Sequence, residues 1–155
     1  MLPGRACESG LLMLSDAEIV EAFFEAIYRL DFAAAVEFLT DDASYHDLPL
    51  PTDPTVGKAA IRRKLDFMIA GGVTSMDYEI RHILGGDDTV LVERTETWHF
   101  PSGAAPTLRV MCAIELDDGK IAAWREYWNG EELMSQMPPE FFAGVERATA
   151  TTDDD

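Results

Sequence analysis

The chain has 155 residues and a formal net charge of −17, because 29 Asp and Glu residues face only 12 Lys and Arg residues. A chain of this length predicts a single domain that buries about two-thirds of its unfolded surface. The acidic balance argues against nucleic acid and anionic membranes as partners, since both select a basic surface. It favours a neutral or cationic ligand.

The sequence also carries no sign of export. No apolar run approaches the roughly 18 residues that a transmembrane helix needs. Residues 1–14 lack the basic region and long apolar core of a signal peptide. The two cysteines, Cys7 and Cys112, predict free thiols in a reducing compartment. We therefore expect a cytoplasmic protein.

Hydrophobic periodicity predicts helices in the first half of the chain. Residues 1–14 predict a flexible arm, 15–137 a single domain, and 138–155 a tail that is helical and then disordered and acidic. Ser15 and Glu18 form a capping box that begins a first helix, which runs to about Arg29. A second helix, capped by Asp31, is predicted over Phe32–Leu39 and ends at Thr40–Asp42, and a strand is predicted over 43–48. A third helix is predicted over Lys58–Ile69. Its inward residues are Ile61, Leu65 and Met68, and its exposed residues are Arg62, Arg63 and Lys64.

The second half of the chain changes to a period of two. The predicted strands cover residues 76–84, 89–100, 107–116 and 121–128, and Gly- and Asp-containing turns at hairpin spacing separate them. Helical segments over 131–137 and 139–147 follow. This order indicates an α+β fold, in which a cone-shaped, curved antiparallel sheet wraps over the N-terminal helices. Such a cone has an open mouth where inward polar side chains can meet a ligand.

Two strands carry charges on a face that is otherwise apolar. In TVLVERTETWHF the inward set contains Arg94 and Glu96, and in IAAWREYWN it places Glu126 between Trp124 and Trp128. A buried charge costs several kcal/mol unless it is paired. Glu126 is therefore either desolvated with a raised pKa or paired with a cation such as Arg94. The functional interpretation is a polar pocket inside an apolar fold, and the alternative is an ion pair that is only structural.

Other candidate residues each have an ordinary structural explanation. Tyr45 and Asp47 lie on one side of a short strand, where they fit either the pocket or a core tyrosine and a turn-capping acid. His82 fits either the pocket or the core. The histidines lack ligand spacing, so no metal site is expected. The residues predicted to contact an apolar substrate are Trp98, Trp124, Trp128, His82, Met68, Val110 and Cys112.

Four short motifs, in this order and spacing, resemble the limonene-1,2-epoxide hydrolases. The motifs are Tyr45-x-Asp47-x-Pro49, Gly57 before a helix, Glu93-Arg94-Thr95-Glu96, and Gly119-Lys120-Ile121-x-x-Trp124-Arg125-Glu126-Tyr127. That family belongs to the nuclear-transport-factor-2-like (SnoaL-like) superfamily, with ketosteroid isomerases and polyketide cyclases. The resemblance spans roughly residues 19–134.

The resemblance implies one-step hydrolysis of an epoxide, with no covalent intermediate, metal or cofactor. It implies that Glu126 is the general base for a water held by Tyr45 and Asp47, that Glu96 protonates the epoxide oxygen, and that Arg94 bridges the carboxylates. The chain departs from the family pattern, which has Asp in place of Glu96 and Glu126 and Asn in place of Asp47. Three acids around one Arg predict that one stays protonated at neutral pH.

The sequence therefore favours a cofactor-independent enzyme that opens an epoxide of a small hydrophobic substrate to a vicinal diol. One alternative is a carboxylate-based isomerase, cyclase or dehydratase that acts on a small hydrophobic carbonyl compound. Another is a cone that binds a ligand without catalysis. We also expect a homodimer that forms through the outer face of the sheet.

Overall fold

The computed structural model describes residues 13–151. In chain order their elements are α1 (Asp16–Tyr28), α2 (Phe32–Val36), β1 (Leu39–Asp47), β2 (Thr55–Val56), α3 (Lys58–Ala70), β3 (Ser75–Gly86), β4 (Thr89–His99), β5 (Thr107–Asp117), β6 (Lys120–Trp128), α4 (Gly130–Met134) and α5 (Pro139–Ala150). The four strands predicted from residue 76 onward are confirmed as β3 to β6, each within two residues at either end. The predicted α+β class is confirmed: a curved, unclosed sheet wraps over the N-terminal helices.

The predicted capping box begins α1. The Ser15 hydroxyl accepts from the Glu18 amide at 3.3 Å, and the Glu18 carboxylate accepts from the Ser15 amide at 2.7 Å. Two of the free amides at the helix start are thereby satisfied. The apolar stripe of this helix, which includes Phe23, Phe24 and Ile27, is buried against the sheet.

The sheet has the strand order β2-β1-β6-β5-β4-β3. The last four strands form the predicted antiparallel meander, but β1 pairs with β6 in parallel, so the sheet is mixed. The prediction that α2 continues to Leu39 and ends at Thr40–Asp42 is wrong, because β1 already begins at Leu39. Leu39 pairs with Ile121 in β6, and this distant pairing outweighs the local turn preference of the aspartates.

Inward and outward residues alternate along β4 as the period of two predicts. Val90, Val92, Arg94 and Glu96 are buried, whereas Leu91 is exposed. In β3 a bulge between Ile80 and His82 breaks this alternation. The outer face of the sheet exposes Met111 and Tyr127 as well as Leu91, and the homodimer through this face stays a prediction.

Helix α5 lies in the segment predicted as a tail, and it packs against the end of α3. A Cβ on Gly144 would collide with the carbonyl oxygen of Ala70, so only glycine permits this approach. The ring of Phe141 fills the space beside Gly71 in the same way. The helix reaches Ala150, three residues past the predicted end. Residues 1–12 of the predicted arm (1–14), with Cys7, and the last four residues of the chain lie outside the described residues.

Among residues 13–151, no helix has the length and apolar character needed to cross a membrane.

Candidate active site

A cavity of about 270 Å³ opens between the concave face of the sheet and helices α3, α4 and α5. Most of its wall is apolar, and methionines from four different segments contribute to it: Met68, Met76, Met134 and Met137. Methionine side chains adapt their shape to irregular ligands. The polar part of the wall is a group of mutually bonded side chains, which we call the acid cluster: Tyr45, Asp47, Lys64, Arg94, Glu96 and Glu126.

Arg94 lies at the centre of the acid cluster and is only 3% exposed. Its Nη2 donates to Glu126 Oε1, and its Nε lies 3.4 Å from Glu96 Oε2, so it joins the two glutamates. Its guanidinium stacks over the ring of Phe24 at 4.4 Å. Burial acts to lower the pKa of Arg94, but the neighbouring acidic groups, Glu126 first, raise it well above its usual value. The guanidinium therefore stays charged.

Tyr28 completes the bonding of Glu96 and was missed at the sequence level. Its hydroxyl accepts from Arg94 Nε at 2.5 Å and donates to Glu96 Oε2 at 2.9 Å. Burial first and the charge of Glu96 second raise the pKa of Tyr28 far above its usual value. The signal was available, because Tyr28 follows Phe24 by four residues on the buried stripe of α1.

Glu126 accepts hydrogen bonds mainly through one of its oxygens. Oε1 accepts from Arg94 Nη2 and from Trp124 Nε1, whereas the nearest donor to Oε2 is the Tyr45 hydroxyl at 3.4 Å. Burial raises the pKa of this carboxyl from 4.5 to about 7; Arg94 opposes the rise, and Asp47 and Glu96 add to it. Glu126 therefore exchanges a proton near neutral pH.

Asp47 and Lys64 form a second ion pair in the cavity wall. Lys64 Nζ lies 2.7 Å from Asp47 Oδ2 and 4.1 Å from the centre of the Tyr45 ring. The prediction that Lys64 is a solvent-exposed helix residue is wrong, since its side chain is 26% exposed and lines the cavity. It follows Ile61 by three residues and precedes Met68 by four, which places it on the inward side of α3.

Each carboxyl of the acid cluster accepts an indole N–H. Trp98 donates to Glu96 at 2.9 Å. The other two donors are Trp124, to Glu126 at 2.9 Å, and Trp128, to Asp47 at 3.0 Å. A charge-assisted bond to an indole on a neighbouring strand position fixes each carboxyl in orientation. The tryptophans predicted as substrate contacts therefore also position the acids.

Of the other residues predicted to contact the substrate, only Met68 lies in the cavity wall. Val110 and Cys112 are buried in β5 and do not belong to the cavity lining. Burial raises the pKa of the Cys112 thiol to about 12, so it stays protonated. The prediction for His82 is wrong in both forms, pocket and core. The bulge in β3 turns its side chain outward, where its Nδ1 lies 2.7 Å from Glu93.

The acid cluster combines three carboxyls with two cations at the wall of an apolar cavity. One additional proton makes this set neutral, so the low-charge state has one protonated carboxyl. A protonated and an ionised carboxyl side by side are the groups that general acid–base catalysis requires. In residues 13–151 no group of three or more His, Cys, Asp or Glu side chains is placed to hold a metal ion.

Solved structures with the same fold include several enzymes. A structure described as an LEH-like epoxide hydrolase from M. tuberculosis is 24% identical, covers 88% of this chain and 96% of its own, and superposes with a TM-score of 0.67. SalBIII, described as an epoxide hydrolase/cyclase-like enzyme in pyran ring formation, is 24% identical over 76% of this chain and 92% of its own, with a TM-score of 0.65. A putative polyketide cyclase from Xanthomonas campestris pv. campestris is 25% identical over 79% of this chain and 96% of its own, with a TM-score of 0.64.

A family model extends this likeness from structure to sequence. The SnoaL-like domain matches residues 20–124, from the buried stripe of α1 to the first tryptophan of β6. The match includes β1 and β4, which hold four members of the acid cluster, and it stops just before Glu126. By this match over more than half of its length, the chain belongs to the SnoaL-like domain family, whose fold is shared by epoxide hydrolases and cyclases.

Proposed function

We propose that the protein hydrolyses an epoxide of a small hydrophobic molecule to a vicinal diol. The observation that carries this proposal is Arg94 in contact with both Glu96 and Glu126 at the wall of an apolar cavity. Epoxide opening needs a base for the attacking water and an acid for the leaving oxygen in one step. Two carboxyls linked by one cation supply both groups, and each contributes about 10²–10⁴-fold in rate.

In the proposed reaction Glu126, as a carboxylate, removes a proton from water, and the water oxygen bonds to one epoxide carbon. The bond between that carbon and the epoxide oxygen breaks, and Glu96 protonates the oxygen as it leaves. Arg94 stays charged and neutralises whichever glutamate is ionised. Atoms balance as epoxide plus water to diol, and a proton must return from Glu126 to Glu96 before the next turnover.

Purified protein incubated with limonene-1,2-epoxide in H₂¹⁸O tests this function. We expect a diol that carries one ¹⁸O atom, detected by gas chromatography and mass spectrometry. Glu126→Gln and Glu96→Gln should each lower kcat by at least about 10²-fold, because each removes one proton-transfer group. Glu93→Gln is the matched control, since Glu93 lies on the same strand but faces outward.

The result that removes this proposal is a diol whose rate of formation is the same with wild type, Glu126→Gln and no protein. A panel of cyclic and linear terminal epoxides repeats the assay before that conclusion, since the adaptable cavity wall does not select one shape. Retained activity in Glu126→Gln alone would remove Glu126 from the mechanism.

A second function is favoured by the proton affinity of Glu126. A carboxyl with a pKa of about 7 suits a base that removes a proton beside a carbonyl group, as an isomerase, cyclase or dehydratase does. The similarity to a putative polyketide cyclase supports the same class. This function predicts exchange of the substrate proton with D₂O, which NMR detects, and no ¹⁸O in the product. It also predicts that Glu96→Gln is less harmful than Glu126→Gln.

A further inference from the structure

The ion pair between Lys64 and Asp47 takes no part in the reaction as proposed above. Asp47 is almost completely buried and accepts three hydrogen bonds or ion contacts, from Lys64 at 2.7 Å, Trp128 at 3.0 Å and Tyr45 at 3.1 Å. Three donors around a buried carboxyl favour its ionised form. Because Lys64 supplies the only full positive charge among these donors, its removal would leave Asp47 as a buried, unpaired charge.

Tyr45 connects this ion pair to Glu126. Its hydroxyl lies 3.1 Å from Asp47 Oδ1 and 3.4 Å from Glu126 Oε2, but a phenol carries only one proton. Whichever carboxyl accepts that proton, the other faces an oxygen lone pair. Burial and the charges of Glu126 and Asp47 hold the pKa of Tyr45 well above its usual value, so the hydroxyl does not ionise. The charge state of Asp47 therefore decides the direction of the Tyr45 hydroxyl.

We propose that Lys64 is a positioning residue: it holds Asp47 as a carboxylate that accepts the Tyr45 proton, and so leaves Glu126 Oε2 free to take a proton from water. The catalytic part of this statement rests on the proposed function. The structural part does not, because it concerns only which carboxyl holds a proton. Lys64 acts through Asp47 and Tyr45 and does not touch the reacting atoms.

The charged and titratable groups that face Glu126 determine in which direction each substitution shifts its titration. They come from every element around it: Tyr28 on α1, Tyr45 and Asp47 on β1, Lys64 on α3, Arg94 and Glu96 on β4, and Cys112 on β5. Lys64 and Asp47 together have a charge of zero. Lys64→Met makes the pair −1, Asp47→Asn makes it +1, and the double variant returns it to zero. Packing changes alone would not follow this order.

Protein labelled with ¹³C at the Asp and Glu carboxyls gives the test, by NMR titration from pH 4 to pH 10. Glu126→Gln and Asp47→Asn assign the two signals. We expect the Glu126 midpoint to differ less between Asp47→Asn and Lys64→Met/Asp47→Asn than between wild type and Lys64→Met, because the Asp47→Asn background has no carboxylate for Lys64 to hold. In Lys64→Met, Asp47 and Glu126 should keep their last shared proton to a pH about one unit higher than in wild type.

Two further variants separate charge from packing. Lys64→Arg keeps the cation and should keep the wild-type titration. Lys58→Met removes a lysine from the same helix with a similar side-chain exposure, 27% against 26%, and should change nothing, since its partner is the exposed Glu37. The proposal would be overturned if Lys64→Met left the Glu126 midpoint unchanged, or shifted it equally in the wild-type and Asp47→Asn backgrounds. A shift of the same size in Lys58→Met would also overturn it.

Turnover of limonene-1,2-epoxide adds the catalytic readout. At pH 7 Lys64→Met should lower kcat about tenfold or more with little change in KM, and the double variant should recover part of the loss. If wild type turns over no epoxide, the proposed function fails while the titrations still decide whether Lys64 controls the proton. If wild type is active and Lys64→Met equals it in kcat and in its pH profile, the positioning role is refuted.

Discussion

The buried carboxyl of Glu126 makes stability depend on pH in a way that one substitution isolates. Its pKa is 4.5 when the chain is unfolded and about 7 in the fold, so the folded state binds the proton more tightly. A raised carboxyl pKa stabilises the fold only while the group is protonated. The contribution is complete below pH 4.5 and is lost as the pH rises through 7. A difference of this size corresponds to about 3 kcal/mol.

Glu126→Gln removes this titration and keeps the shape of the side chain. The free energy of unfolding of the variant minus that of wild type should therefore rise by about 2 to 3 kcal/mol between pH 5 and pH 8. Urea unfolding followed by far-UV circular dichroism measures both proteins at each pH, and the subtraction cancels the titrating groups that lie outside the acid cluster. A difference that stays constant to within about 1 kcal/mol would refute the reasoning.

The same proton should control the rate. If Glu126 acts as a base without a protonated partner, as in the second function, kcat/KM should rise with pH through a midpoint of about 7, because only the ionised form accepts a proton. Agreement between this midpoint and the one obtained from stability would assign both to one group. A rate that falls with rising pH over this range would instead indicate that the reaction needs the proton that the glutamates share, as the proposed epoxide opening does.

Three smaller predictions follow from packing and hydrogen bonding. Gly144→Ala should destabilise the protein by about 1–3 kcal/mol, because the new methyl group collides with the carbonyl oxygen of Ala70, and urea unfolding measures the loss. Tyr28→Phe removes the hydroxyl donor to Glu96 and should lower the free energy of unfolding by about 1–3 kcal/mol. The same substitution should also lower activity. His82→Ala should leave kcat and KM unchanged, since the side chain is exposed. It should change the free energy of unfolding by no more than about 0.5 kcal/mol.

Matched substitutions control two of these measurements. Gly86→Ala adds the same methyl group where no heavy atom lies within 4 Å, and should have little effect on packing. Tyr127→Phe removes a hydroxyl from an exposed tyrosine and should change stability by no more than about 0.5 kcal/mol. Equal losses for Gly144→Ala and Gly86→Ala would contradict the close approach of α5 to α3.

The parts of the fold that were predictable are those in which a local pattern and the tertiary structure agree. The capping box at Ser15 and the alternation along β4 are examples, because a helix stripe and a strand face each follow from residue spacing alone. The same alternation placed Arg94, Glu96 and Glu126 on one concave face. The hydrogen-bond partners of these three side chains could not be predicted in the same way, because residue spacing shows which face a side chain lies on but not how far it is from another side chain.

The parts that were not predictable depend on partners far away in sequence. The aspartates of Thr40–Asp42 favour a turn, yet they lie in β1, because Leu39 before them and Ser44 after them both pair with the distant strand β6. The bulge beside Ile80 exchanges the inward and outward positions in the rest of β3, and no glycine or proline in the sequence marks the place. Lys64 carries a charge that is usually solvated, and only the presence of Asp47 opposite shows why it faces inward.

The indole bonds described above have a practical consequence. All three tryptophans of the chain donate to the acids of the cavity wall, so the tryptophan fluorescence of the protein comes entirely from around this cavity. Quenching or a spectral shift on mixing with a candidate compound would report occupancy without a label or a known reaction. Searching for the natural ligand can therefore begin with a fluorimeter and a compound collection.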